Sequence, residues 1–175
     1  MIERVEEMRL TPALDAEIVA FLPIGLERVD YGGRSYFQNR FHCRFLARED
    51  GALIGHLGLA LRAIRIGDVL TDVVGIGDVG VRPDRRGRGI GTALLEAAVE
   101  EGRRSPARFA VLLGVAGLYA RAGFVPARGI VTATPMRGAR TEEVRRRVET
   151  ALKVLPLGDE AWDTEAPVDL AGWPF

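Results

Sequence analysis

The stretch Val81-Arg82-Pro83-Asp84-Arg85-Arg86-Gly87-Arg88-Gly89-Ile90-Gly91-Thr92-Ala93-Leu94-Leu95 constrains this 175-residue chain more than any other. A strand-like apolar run ends in a turn rich in glycine and arginine, which opens directly into an amphipathic helix. The first amides of such a helix have no partner inside it, and the helix dipole adds partial positive charge at the same end. Glycines let a phosphate approach the backbone with no Cβ in the way. Arg86 and Arg88 offer charge-assisted contacts to phosphate oxygens. Two readings are open at this point: a phosphate-binding turn, or an ordinary strand–helix connection with a solvated Arg-Gly run.

The flanking pattern sets the architecture. Thr11-Pro12 predicts an N-cap followed by proline in the first turn, with a helix over 13–22 that stops near Pro23. Residues 25–39 read as loop, with Tyr31-Gly32-Gly33 a turn. Strands are predicted over 41–48, 52–66 and 69–81, joined by turns at Asp50-Gly51 and Gly67-Asp68 as an antiparallel meander. A helix follows over 92–103, with Leu94, Leu95, Ala98 and Val99 on one face. Then come a strand over 109–113, buried and parallel to the strand before the helix, and a short helix over 116–122 closed by Gly123 as a left-handed cap. Strands over 124–132 and 148–155 complete the pattern, with a charged, unpatterned segment between them and an acidic tail after them. A Rossmann dinucleotide site is disfavoured, because the strands before the turn form hairpins and no acidic residue sits on a second parallel strand.

Formal net charge is zero, which gives no electrostatic footprint for nucleic acid. Cys43 is the only cysteine, so neither an internal disulfide nor a thiolate zinc cluster can form, and no metal is expected. By alternation Cys43 shares a strand face with Phe41 and Phe45, as a buried, inert thiol would. The first residues are acidic and contain no apolar signal core, and no run is long enough to span a bilayer. The expectation is one cytoplasmic domain over 1–175, with no membrane partner.

Two motifs stand in order. Arg86-Gly87-Arg88-Gly89-Ile90-Gly91 fits the pattern basic/Gln-x-x-Gly-x-Gly/Ala, and Leu118-Tyr119-Ala120-Arg121-Ala122-Gly123-Phe124 fits Leu-Tyr-x-x-x-Gly-Phe. Together, after the meander, they resemble the GCN5-related N-acetyltransferase (GNAT) superfamily over about residues 41–132. The resemblance implies an α/β (α+β) GNAT fold: a mixed, mostly antiparallel central sheet of about six to seven strands flanked by helices. It also implies acetyl-CoA as cofactor and acyl transfer to a primary amine. By resemblance, the backbone of Val81 and of Arg86, Gly87, Arg88, Gly89, Ile90 and Gly91, with Thr92, holds the pantetheine arm and pyrophosphate. The resemblance likewise implies that the Val79 N–H polarises the thioester carbonyl and that Tyr119 protonates the departing thiolate. Homodimers are common in that superfamily, and a homodimer stays an open option here.

The segments Ile54-Gly55-His56-Leu57-Gly58-Leu59, Gly80-Val81-Arg82-Pro83-Asp84 and Val154-Leu155-Pro156 look further like aminoglycoside 2′-N-acetyltransferases and the rhizobial nodulation N-acyltransferase. So does the ending Asp169-Leu170-Ala171-Gly172-Trp173-Pro174-Phe175. The aminoglycoside enzymes carry a glutamate on the strand before the glycine turn, where this chain has Gly77, and Gly75 is no substitute. The base is therefore open among Asp78, which alternation points away unless a bulge intervenes, Asp72 further back on the strand, His56, the α-carboxylate of Phe175, and water. A lone His on a strand is more often a structural hydrogen-bonding residue, and His56 reads so first. Tyr31 and Asp169 are the candidate acceptor contacts, and an acidic tail would suit a small cationic amine. The rival to an enzyme is a silent acyl-CoA sensor that keeps the groove but lacks the base.

Overall fold

The computed structural model describes residues 1–27, 30–37, 40–137 and 140–174. These fall into two compact units, one of residues 1–60 and 76–98, the other of 61–75 and 99–175.

In the first unit, β1 (Ile2–Glu6) pairs antiparallel with β2 (Cys43–Glu49), and β2 with β3 (Ala52–Ile66). β4 (Val69–Val81) is the next neighbour of β3, so the expected meander is present. Asp50 and Gly51 both have positive φ, as the tight primed hairpin turn requires. β1 was not expected. Its burial pattern places one residue, Val5, fully inside, too weak an alternation to announce a strand. Helix α1 (Pro12–Gly25) starts where Thr11 Oγ1 accepts from Leu14 N, and it continues past Pro23 instead of stopping there. Pro23 sits in the final turn, and the next bond, from Leu26 N to Leu22 O at 2.9 Å, still closes. Ile18, Phe21 and Leu22 of α1 pack with Val5, Leu46 and Leu53.

In this unit two glycines set how closely elements approach. A Cβ on Gly80 would lie 2.9 Å from the carbonyl carbon of Gly25 and 3.1 Å from Leu26 Cδ2, so strand β4 runs close against the end of α1 because residue 80 has no side chain. A Cβ on Gly55 would lie 2.9 Å from Leu94 and 3.0 Å from Ile90, which lets the start of α2 (Ile90–Arg103) rest on β3.

The second unit contains β5 (Phe109–Leu113), α3 (Gly117–Arg121), β6 (Val125–Pro126), β7 (Ile130–Ala133), the β8 (Met136–Arg137) and β9 (Arg140–Thr141) hairpin, β10 (Arg145–Val148), β11 (Leu152–Pro156) and β12 (Val168–Asp169). The order is β10-β7-β12-β3-β4-β5-β11-β6, and with β1 and β2 ten strands share the sheet, more than the six to seven expected. The expected single strand over 124–132 is two short pieces that pair with different neighbours, β6 with β11 and β7 with β10 and β12. The charged segment yields β10 because its backbone pairs with β7 although its side chains stay exposed. The last expected strand starts four residues late, at Leu152. Gly123 takes φ +88°, as its capping role requires. Phe109, Val111, Leu152 and Val154 form the core of this unit, with Trp162 edge-on to Phe109 at 5.1 Å between centroids.

Candidate functional site

The glycine turn lies in the first unit. Arg82 N donates to Ile54 O at 2.9 Å and fixes the exit from β4. Gly87 and Gly89 have φ of +74° and +80°, and a Cβ on either would meet nothing within 4 Å. The space over the turn is therefore open on the side where those glycines lack a side chain. The first helical bond of α2 runs from Ala93 N to Gly89 O. Among the described residues, the amides of Gly87 through Thr92 donate to no protein acceptor. A row of unpaired N–H groups at a helix start beneath open space fits a phosphate group. The arginines divide. Arg86 is tied into the protein, with Nε donating to Val81 O at 3.1 Å, Nη2 to Gly25 O at 3.3 Å and Nη1 to Glu27 Oε1 at 2.6 Å. Arg88 is exposed, 3.7 Å from Glu49. The Arg86 guanidinium, expected on an anion, here has protein partners, and Arg88 is the more exposed of the two.

Just upstream on β4, Val79 and Val81 are half-buried, and Asp78 precedes them. Asp78 has φ +51°, rare for a residue with a Cβ. A left-handed residue inside a strand interrupts alternation as a bulge does, so alternation misjudges where the Asp78 side chain goes. The structure brings Asp78 and Tyr31 together across 47 residues of sequence: Tyr31 Oη donates to Asp78 Oδ1 at 2.6 Å. Burial raises the Asp78 pKa above the ordinary aspartate range, while the Tyr31 hydroxyl and the Arg44 charge pull it back. Burial and the Asp78 charge raise the Tyr31 pKa, so Tyr31 stays a donor. Phe37 lies 5.4 Å from the Tyr31 ring.

Behind Asp78 is a buried polar network with no forewarning in motif or spacing. Arg44 is fully buried and forms a bidentate pair with Glu7, Nε to Oε2 at 2.7 Å and Nη2 to Oε1 at 2.9 Å. Its Nη1 donates to Ser35 O at 2.8 Å and lies 3.1 Å from His56 Nε2. His56 Nδ1 lies 2.9 Å from Asp78 O. A carbonyl only accepts and a guanidinium only donates, so Nδ1 carries the proton and the Nε2 lone pair is taken by Arg44. Burial, then the Arg44 charge, lowers the His56 pKa to about 3. His56 therefore has no free lone pair with which to take a proton. The one sequence signal for the network is the near-continuous apolar run of β3, buried over 53–60, which means its neighbours are covered on both faces.

Tyr119 lies in the second unit, on α3, half-buried and 6.4 Å from the Phe124 ring. Burial raises its pKa, and among the described residues its hydroxyl has no hydrogen-bond partner. A Cβ on Gly114 would lie 2.4 Å from Tyr119 Cε2, so this glycine makes room for the ring. Asp169 is exposed on β12, and its Oδ1 accepts from Ala171 N at 2.8 Å, capping its own turn. Arg62 holds the tail by donating to the carbonyls of Leu170 and Trp173. Phe175 lies outside the described residues. Cys43 is buried as expected. Among the described residues no cluster could hold a metal ion, and no helix is long and apolar enough to cross a membrane.

No curated protein matches the chain. Among solved structures, a GNAT family acetyltransferase from Brucella melitensis in complex with acetyl-CoA shares 23% identity at a TM-score of 0.62, covering 96% of this chain and 94% of its own. The Escherichia coli GNAT family N-acetyltransferase YhbS in complex with CoA shares 20% at 0.64, covering 97% and 88%. The Escherichia coli ribosomal-protein-S18-alanine N-acetyltransferase shares 17% at 0.61, covering 92% and 97%. The fold is thus that of the GNAT enzymes. The Acetyltransferase (GNAT) family also matches in sequence over residues 12–124, a span that includes the meander, the glycine turn and the Tyr119 motif, and this chain belongs to that family.

Proposed function

We propose that the protein is an acetyl-CoA-dependent N-acetyltransferase that passes an acetyl group directly to the primary amine of a small cationic acceptor. The observation that carries this reading is the row of unpaired amides from Gly87 to Thr92 under open space. Those amides, with Arg88, hold the pyrophosphate, and the backbone of Val79 and Val81 holds the arm and thioester carbonyl. Acetyl-CoA, when bound, supplies the activated acyl carbon. Asp78 takes the proton from the acceptor ammonium: burial raises its proton affinity above that of an ordinary aspartate, and the Tyr31 hydroxyl fixes its carboxylate. Tyr119 donates a proton to the leaving sulfur, since a phenol with a raised pKa stays protonated. His56 serves the scaffold. The Asp78–Tyr31 pair argues against the silent sensor, whose case rested on the missing carboxylate at Gly75 and Gly77.

The aromatic pair Tyr31 and Phe37 beside a carboxylate suits a cationic acceptor. Kinship to aminoglycoside 2′-N-acetyltransferases, a single domain over 1–175 and a cytoplasmic location belong to the same reading. The test is calorimetric titration with CoA and acetyl-CoA, followed by an acetyl-transfer screen on aminoglycosides, polyamines, amino sugars and peptide N-termini. Micromolar coenzyme binding with transfer to an amine is the expected result. Absence of coenzyme binding refutes the proposal, and binding without transfer to any of the amines returns the sensor.

A further inference from the structure

The carboxylate proposed as base sits on a backbone conformation that a strand does not supply by itself. Asp78 has φ +51°, and its carbonyl is turned to a side chain, His56 Nδ1, at 2.9 Å. A buried carbonyl needs a donor, and the left-handed conformation persists only where its surroundings over-determine it. The donor here is fixed from behind. His56 is fully buried on β3, and its Nε2 accepts from Arg44 Nη1. Arg44 cannot turn away, because Glu7 holds Nε and Nη2 and the Ser35 carbonyl also accepts from Nη1. The chain of contacts runs from Glu7 in the 3-10 turn after β1, through Arg44 on β2 and His56 on β3, to the backbone of Asp78 on β4. The groups that face the Asp78 carboxylate are Tyr31, from the connection after α1, and the more distant Arg44 charge.

We propose that His56 is a positioning residue, held in one tautomer by Arg44 so that its Nδ1–H captures the Asp78 carbonyl and aims the Asp78 carboxylate at Tyr31. The inference rests on the reading of Asp78 as base. It assigns different duties to the two ring nitrogens, and that asymmetry can be tested. In His56→Asn the side-chain amide nitrogen falls where Nδ1 stands and keeps the bond to Asp78. In His56→Gln the carboxamide falls near Nε2 and keeps only the contact with Arg44.

The measurement is a carbon-13 titration of the Asp78 carboxylate in the full chain, with the Asp78 Cα and Cβ shifts reporting its backbone. In His56→Gln the Asp78 midpoint should fall toward the ordinary aspartate range as the carboxylate loses its burial, with backbone shifts moving to those of a regular strand. His56→Asn should restore the wild-type midpoint to within about 0.3 unit. Equal behaviour of the two variants, or loss in His56→Asn with retention in His56→Gln, overturns the proposal. Turnover of Asp78→Asn on the amine panel judges the base reading separately. Unchanged turnover there removes Asp78 from the chemistry, while the titration still decides what His56 does to its backbone.

Discussion

Replacing Gly114 by alanine tests whether Tyr119 is a catalytic acid through a residue that touches no substrate. The added Cβ would sit 2.4 Å from Tyr119 Cε2 and 3.2 Å from both Cδ2 and Cζ. Carbon atoms in contact stand about 3.5 Å apart or more, so the ring must retreat by about 1 Å. Gly114 needs no left-handed backbone, and its N–H bond to Ala151 O at 2.9 Å is open to alanine as well. The cost in stability is that of modest overpacking, about 1–3 kcal/mol, eased because the half-buried ring can swing outward. A displacement of about 1 Å at a reacting group costs on the order of a hundredfold in rate. The assay is release of free CoA, followed with a thiol reagent at saturating acetyl-CoA and acceptor. Gly114→Ala is expected to lower kcat by ten- to a hundredfold, on the order of the loss from Tyr119→Phe, with coenzyme affinity within about threefold of wild type. A crystal structure of Gly114→Ala showing the hydroxyl displaced, together with an unchanged kcat, would refute the role of Tyr119. An unmoved ring would refute the steric argument.

Gly89→Ala meets no protein atom but forces a side chain into a left-handed residue. It is expected to cost about 1–2 kcal/mol in stability and to weaken CoA binding at least tenfold by calorimetry, whereas Arg86→Ala changes affinity less because its guanidinium is already bonded to the protein. Asp78→Asn keeps an acceptor for Tyr31 and removes a carboxylate whose folded pKa is raised. In the wild type that group destabilises the fold progressively as pH rises from the unfolded value, near 4, through the folded one. Urea unfolding should therefore show Asp78→Asn gaining on wild type at pH 7.5 relative to pH 4, and a constant difference would contradict this. The His56 pKa is lowered from 6.5 to about 3, so its neutral form contributes stability present above pH 6.5 and lost as pH falls toward 3, roughly 5 kcal/mol at full extent. Unfolding midpoints between pH 7 and pH 4 should fall less steeply in His56→Asn than in wild type.

The long strands, both hairpins and the amphipathic helix after the glycine turn were legible because hydrophobic period and turn chemistry agree there. β3 and β4 have the expected limits. The second unit was less legible. Strands of two to four residues such as β6, β10 and β12 are made by neighbours that supply hydrogen bonds, and local pattern carries no record of the neighbour. The phosphate-type turn was visible because its chemistry is backbone chemistry, and glycine marks backbone chemistry directly. The partner of Asp78 was not visible. Tyr31 was singled out for the acceptor, yet pairing it with Asp78 requires the left-handed φ at residue 78, and no rule of alternation yields one. Arg44 escaped notice for a different reason: a charged residue in a strand reads as solvent-facing until both sheet faces are known to be covered.

Gly80 stands two residues beyond Asp78, and Gly25 closes the helix whose trailing segment delivers Tyr31. The bare Cα of Gly80 faces the Gly25 carbonyl and the Leu26 side chain, so the close seat of β4 on the end of α1 sets the spacing between Asp78 and the segment that carries Tyr31. A methyl group at residue 80 would act as a wedge between β4 and the end of α1, stretching the Tyr31–Asp78 contact without altering either side chain.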